Sequence, residues 1–255
     1  MNKFKCLIAL LITNMSSPPI ILFDFDGVII SQKALEYTAS IFRKKEFYRW
    51  VCIDNLRLID FARLFEEADS KNRIKAFMKI IKIYKNYIPS TWRRILFFLK
   101  FRRFFPKYEK YETLKTNLED ILRQLKSVGF HLGIVSNTSG KRLSSFRKRL
   151  NLDNYFSVFI SRDDTSDRKP SPYPIYDALI TLKKKKKISI DRNEVYYVGD
   201  LPHDIKCAKN AGVKSIALLS GHGTREDLEN SNPTYLIADI KDLIEIKEFK
   251  KYLLN

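Results

Sequence analysis

Asp24 and Asp26 follow the apolar run Ile20-Ile21-Leu22-Phe23 and precede Gly27, which puts two carboxylates at i, i+2 where a buried strand would end. That spacing turns both side chains to the same side of an extended chain. Two such acids repel one another and lose hydration, so they call for a cation or a shared proton. The bland alternative is that they open a turn with Gly27. Three more polar features stand at or just beyond the ends of predicted strands: Ser136 after Leu132-Gly133-Ile134-Val135, Lys169 in a polar loop before Pro170-Ser171-Pro172, and Asp200 with Asp204 after Val195-Tyr196-Tyr197-Val198. One hydroxyl, one ammonium and several carboxylates make joint sense around a phosphoryl group held with a hard divalent cation.

The elements needed to bring them together are legible. From Thr113 onward, helix and strand alternate. Asn117 is the expected N-cap of a helix with Glu119 and Asp120 in its first turn, and Gly129 ends it. Strand 131–135 follows, then a helix from Arg142 to Leu150 and a strand at 157–160. A helix runs from after Pro172 to about Lys186, with its lysine run at the C-terminal end, where cations complement the helix dipole. Strand 195–198, helix 203–211, strand 215–219, strand 235–238 and a terminal helix complete the series. Repeated β-α units with short turns predict a doubly wound, Rossmann-like parallel sheet covered on both faces. In such a sheet ligands bind beyond the strand C-termini, at the reversal of strand order.

Between the first motif and the repeated units, residues 32–112 contain no glycine and read as helical nearly throughout, so an α-helical domain is expected to be inserted there. The core is then 18–31 with 113–255. Stripes at Phe61-Leu64-Phe65-Ala68 and Ile74-Phe77-Met78-Ile81 are expected to pack a small bundle. Trp92 to Phe105 is basic and aromatic together, and is read as a helix that buries its apolar stripe and lets its arginines face solvent or the substrate. Residues 1–17 are expected to be an extension whose apolar stretch is too short to span a bilayer, either an extra packing segment or the result of a start assigned too early, with Met15 then the first residue.

The chain has 255 residues and a formal charge of +18, with lysines scattered through nearly every segment. Scattering favours a solvated basic surface, although such a field also attracts anionic ligands. Cys6, Cys52 and Cys207 are odd in number and far apart, which excludes a disulfide framework and suits a reducing, cytoplasmic setting. His131, His203 and His222 lack metal-ligand spacing; each is expected on the surface or in a loop, and only His203 near the chemistry.

In the order Asp24-Phe25-Asp26-Gly27-Val28, Ser136-Asn137, Lys169-Pro170-Ser171-Pro172 and Gly199-Asp200-Leu201-Pro202-His203-Asp204, the chain resembles the haloacid dehalogenase-like hydrolases. The tail Gly221-His222-Gly223-Thr224-Arg225-Glu226-Asp227-Leu228 resembles the phosphoglycolate phosphatase-like branch, whose helical cap follows the first motif. The resemblance implies that Asp24 attacks phosphorus and becomes an aspartyl phosphate, and that Asp26 serves as general acid and base. It implies that Gly27, Ser136, Asn137 and Lys169 bind the substrate. It further implies Mg2+ held by Asp24, the main-chain carbonyl of Asp26 and Asp200, with Asp204 holding the metal's water or Lys169.

Members of that family that cleave carbon–halogen bonds keep no acid in the place of Asp26, so the resemblance implies a phosphatase or phosphotransferase. The expected partner is a small phosphorylated metabolite, and the expected assembly a monomer or homodimer. A sugar-phosphate mutase on the same scaffold is one alternative; a basic nucleic-acid or membrane-surface binder is another. Ser136 lacks the Gly-x-Ser-x-Gly surroundings of a serine hydrolase.

Overall fold

The structure is a computed structural model; it describes residues 19–31 and 90–253, with 78, 81, 82, 85 and 88 between them. Six strands form one all-parallel sheet: β1 (Ile20–Phe23), β2 (His131–Val135), β3 (Val158–Ile160), β4 (Val195–Gly199), β5 (Lys214–Leu218) and β6 (Tyr235–Ile237). Their order is β3-β2-β1-β4-β5-β6. The described helices are α1 (Thr91–Tyr108), α2 (Leu118–Ser127), α3 (Gly140–Arg149), α4 (Tyr173–Lys186), α5 (Pro202–Ala211), α6 (Arg225–Asn230) and α7 (Lys247–Leu253). This is the Rossmann-like α/β arrangement, and strand order reverses between β1 and β4.

Strand alternation sorts the core into two layers. Ile21 and Phe23 of β1 face the same side as Leu132, Ile134, Tyr196, Val198, Ile216 and Leu218, and α2, α3 and α7 cover them with Leu122, Leu125, Phe146 and Phe249. Ile20 and Leu22 face the other way with Val135, Val158, Val195 and Tyr197, beneath Ile175, Leu179 and Leu182 of α4 and Ala208 of α5. Every residue of β1 is buried, as expected for a central parallel strand. Registers Phe23↔Ile134 and Phe23↔Val198 bring the ends of β1, β2 and β4 level, so that the residues leaving these strands emerge side by side.

Local details depart from expectation in places. Asn117 does precede α2, but its backbone is left-handed (φ 64) and its side chain caps nothing. Gly129, at φ 95, lets the chain reverse after α2 with Phe130 N–H bonded back to the Leu125 carbonyl. The terminal helix is split into a 3-10 turn over Ile240–Glu245 and α7.

An antiparallel bridge joins Ile30 to Leu114, and Ser31 N–H donates to the Thr113 carbonyl at 2.7 Å, so the outgoing and returning chain run together there. The extension 1–17, the stripe at 61–68 and most of 74–81 lie outside the described residues. Met78, expected in the bundle's interior, is 60% exposed, whereas Ile81 is buried. In α1 the expected division of faces is partly reversed. Phe97 is buried, but Trp92 and Leu99 lie open, and Arg94 turns inward, donating to the Ile88 carbonyl and to Thr91 Oγ1 at 2.7 Å each. The long aliphatic stem of arginine accounts for this, since it can be buried wherever its head finds acceptors.

Candidate active site

Asp24 leaves β1 with its backbone N–H bonded to the Val198 carbonyl at 2.8 Å, which fixes it against the end of β4. Lys169, buried, donates from Nζ to Asp24 Oδ1 at 2.7 Å, to Asp204 Oδ1 at 2.6 Å and to the Tyr197 hydroxyl at 3.0 Å. Residues from β1, from the loop before α4, from β4 and from the first turn of α5 therefore meet at one ammonium. Its three protons have three acceptors.

Asp204 is divided between two tasks. Oδ1 takes Lys169, while Oδ2 accepts the backbone N–H of Leu201 at 3.0 Å and of Asp200 at 3.2 Å, closing the β4–α5 turn. Asn137 Oδ1 accepts the Lys169 backbone N–H at 3.2 Å and so tethers the β2 loop to the lysine. Ser136, buried at the end of β2, accepts the Thr138 N–H on Oγ at 3.2 Å.

Asp200 sits in a pocket of glycines. Side chains added at Gly27 and Gly221 would meet its carboxylate within 2.1–2.3 Å, and one at Gly223 would meet its carbonyl at 2.3 Å. Gly27 also has φ +72, a conformation that L side chains rarely adopt. Its need for glycine thus comes from Asp200 and His222 behind it, beside the substrate role expected from sequence. The backbone N–H of His222 donates to Asp200 Oδ2 at 2.6 Å and its ring Nδ1 lies 3.0 Å from the same oxygen. Asp200 Oδ1 is buried and has no hydrogen-bond partner among the described residues.

Charge explains what is missing. Burial pushes the Asp24 carboxyl up to about 8, against the pull of Lys169 and with Asp204 and Asp200 adding to the rise. Burial alone would lower Lys169, but Asp204 and Asp24 hold its ammonium well above the usual range. Burial would raise Asp204, but Lys169, His203 and the Leu201 N–H together hold it below its usual value. Burial also opposes protonation of His222, and Asp200 overcomes it, raising the imidazole. Three buried carboxylates, with ligand oxygens within 4.8 Å of one another, face one buried ammonium. A divalent cation beside Asp24 and Asp200 would supply the lacking charge and give Asp200 Oδ1 a partner, so the donor set fits a hard, oxygen-seeking ion. Asp204, with both oxygens engaged, fits the lysine-holding role.

Asp26 stands apart from this cluster. Its Oδ2 accepts from Arg142 Nη1 at 2.7 Å, and its side chain is 20% exposed. His222, expected on the surface or in a loop away from the chemistry, is buried against Asp200, while His203 Nε2 lies 3.6 Å from Asp204. The clue was its placement in Gly221-His222-Gly223, because flanking glycines allow close backbone approach. Tyr197 was missed for a different reason. A tyrosine in an apolar strand reads as packing, yet its hydroxyl accepts from Lys169 and donates to the Val135 carbonyl at 2.9 Å.

The profile of the haloacid dehalogenase-like hydrolases matches residues 21–218. The phosphoglycolate phosphatase of Escherichia coli is 30% identical over 148 residues, 56% of this chain and 56% of that protein, so the chain spans little more than half the length of this relative. The pyrophosphatase PpaX of Bacillus mycoides is 26% identical over 228 residues, 89% of this chain and 95% of the relative. Among solved structures, a predicted phosphoglycolate phosphatase from Haemophilus somnus superposes with a TM-score of 0.63 at 20% identity, covering 91% of this chain and 99% of that one.

Proposed function

The chain belongs to the haloacid dehalogenase-like hydrolases, and from that premise we propose that it is a magnesium-dependent phosphatase of small phosphomonoesters, working through an aspartyl phosphate. The observation that carries this is the meeting of Asp24 and Asp200 beside Lys169, with Asp200 Oδ1 buried and without a hydrogen-bond partner among the described residues. A carboxylate nucleophile, a fixed cation and a place for a hard ion are what phosphoryl transfer by a buried aspartate needs.

An oxygen of Asp24 attacks phosphorus as the bond to the ester oxygen breaks, and Asp26 gives its proton to the departing alkoxide. Asp26 then takes a proton from water, whose oxygen attacks the phosphorus, releasing inorganic phosphate and restoring the Asp24 carboxylate. Lys169 offsets the negative charge gathered on Asp24 and the phosphoryl oxygens, and Asp204 with Tyr197 keeps its ammonium in place. Ser136 and the Asn137 backbone are the expected hydrogen-bonding groups for the phosphoryl oxygens. Asp24, Asp200 and the Asp26 main-chain carbonyl would hold magnesium, which when bound screens the phosphoryl charge. The segment between 31 and 113 is assigned as the cap that closes over this site and reads the organic part of the substrate. Three cysteines, odd in number and far apart, support placing the reaction in a reducing cytoplasm.

Phosphoglycolate and pyrophosphate are the first compounds to try, since relatives are named for them. The decisive experiment compares wild type with Asp24→Asn on p-nitrophenyl phosphate with magnesium. Loss of inorganic phosphate release with an unchanged circular-dichroism spectrum is expected; a variant as active as wild type would overturn the assignment. Phosphate retained on an isomerised product, with none free, would point to a mutase.

A further inference from the structure

Helix α3 carries Arg142, Phe146 and Arg149 at i, i+4 and i+7, so all three share one face. Arg142 Nη1 donates to Asp26 Oδ2 at 2.7 Å and to Thr138 Oγ1 at 3.0 Å, while its Nε donates to Oε1 of Glu109. Glu109 opens the short 3-10 turn Glu109–Tyr111, by which the chain returns to the core after α1. Two turns along α3, Arg149 donates to the carbonyls of Glu112 at 2.7 Å and Glu109 at 3.2 Å. Between the arginines lies buried Phe146, its ring centroid 5.1 Å from the Arg142 guanidinium and 4.6 Å from that of Arg149.

The Arg142 guanidinium is therefore stacked, oriented and shared. It lies 5.6 Å from the Phe25 ring, adjacent to Asp26, and Phe25 meets Phe146 edge to face at 5.3 Å. A planar fork can serve two carboxylates at once, as a lysine cannot. Both ion pairs are about four-fifths buried, which strengthens them beyond surface pairs. Neither Arg142 nor Glu109 belongs to any motif of the core.

We infer that Arg142 is a positioning residue that ties the carboxylate of Asp26 to the return segment through Glu109, so that proton delivery to the leaving group depends on how residues 109–112 are docked. The inference rests on the phosphatase assignment above. One guanidinium shared by two acids couples them: moving Glu109 leaves Arg142 free to turn and removes the fixed orientation of Asp26.

The test uses two esters and reads kcat/KM, which for both reports phosphoryl transfer as the first irreversible step. p-Nitrophenyl phosphate releases a stabilised phenolate and needs little proton donation, whereas phosphoglycolate, or glycerol 3-phosphate if that is the better substrate, releases an alkoxide. Arg142→Ala should lower kcat/KM on the alkyl ester by about tenfold to a hundredfold and on p-nitrophenyl phosphate by less than about threefold. Glu109→Gln should show the same selective loss, smaller in size, and Arg142→Lys an intermediate one. Arg147→Ala, which removes a surface arginine of the same helix paired to Asp153, should change neither.

Equal losses on both esters in Arg142→Ala and Glu109→Gln would make the contact merely structural and overturn the inference, as would unchanged rates on both. If Arg142→Ala fails to fold, Glu109→Gln and Arg142→Lys decide by the same ratio. A wild type that hydrolyses neither ester overturns the phosphatase assignment, and this inference with it. A wild type that hydrolyses both while the ratio stays fixed overturns this inference alone.

Discussion

At the scale of single residues, Asp200 is the group whose surroundings say most. One of its oxygens is held by the His222 backbone at 2.6 Å, the other is buried without a partner among the described residues, and glycines leave it room on three sides. A buried carboxylate oxygen with no donor is costly by about 1–3 kcal/mol or more, so its persistence points to a ligand that the folded site expects. Asp200→Asn keeps the shape and the bond from His222 but removes the charge. It should raise the magnesium concentration for half-maximal rate by about tenfold or more, and chelation of the wild type should abolish turnover until magnesium is restored. An unchanged magnesium dependence in that variant would remove Asp200 from the metal site.

At the scale of elements, the site depends on strands that end level and on helices that hold them so. β4 is clamped by aromatic contacts with α7. Phe249 of α7 meets Phe130 at 5.2 Å and Tyr196 of β4 at 4.7 Å, each edge to face, and is fully buried. Phe249→Ala should cost about 3–5 kcal/mol of stability, read as a lowered midpoint in urea denaturation. Because Phe249 is remote in sequence from every motif, kcat of the folded variant should stay near wild type. A loss below about 1 kcal/mol would mean that α7 packs only loosely on the core.

At the scale of the whole molecule, the +18 charge is spread out rather than gathered. Several basic groups are held by acceptors of the protein itself. At the surface Lys115, Lys185, Lys209 and Arg149 donate to main-chain carbonyls, the lysines to those of Ser220, Ser157 and Ser231, while Arg94 and Lys169 are buried and Arg142 largely so. Among the described residues no helix is long and apolar enough to cross a membrane. The full-length protein should therefore leave a DNA or heparin column at modest salt, with a shallow dependence of retention on salt concentration. Tight retention with a steep slope would favour the nucleic-acid alternative.

The core was legible because its determinants are local. Apolar runs ending in Asp24, Ser136 and Asp200 specify buried strands with polar ends, and parallel β-α repeats leave few ways to connect them. What the linear order could not carry was side-chain pairing between distant segments. Tyr197 looks like packing until Lys169 arrives from the loop before α4, and Arg142 looks like one more basic residue until the chain returns from α1 with Glu109. His222 came to lie against Asp200 because β5 places Gly221 beside it. The sequence by itself determined the sheet, the acids at its edge and the chemistry that such acids allow. Tertiary structure alone decided which carboxylate oxygens are satisfied, which one is buried without a partner among the described residues, and which arginine holds Asp26, because hydrogen-bond partners and desolvation depend on neighbours that only folding supplies.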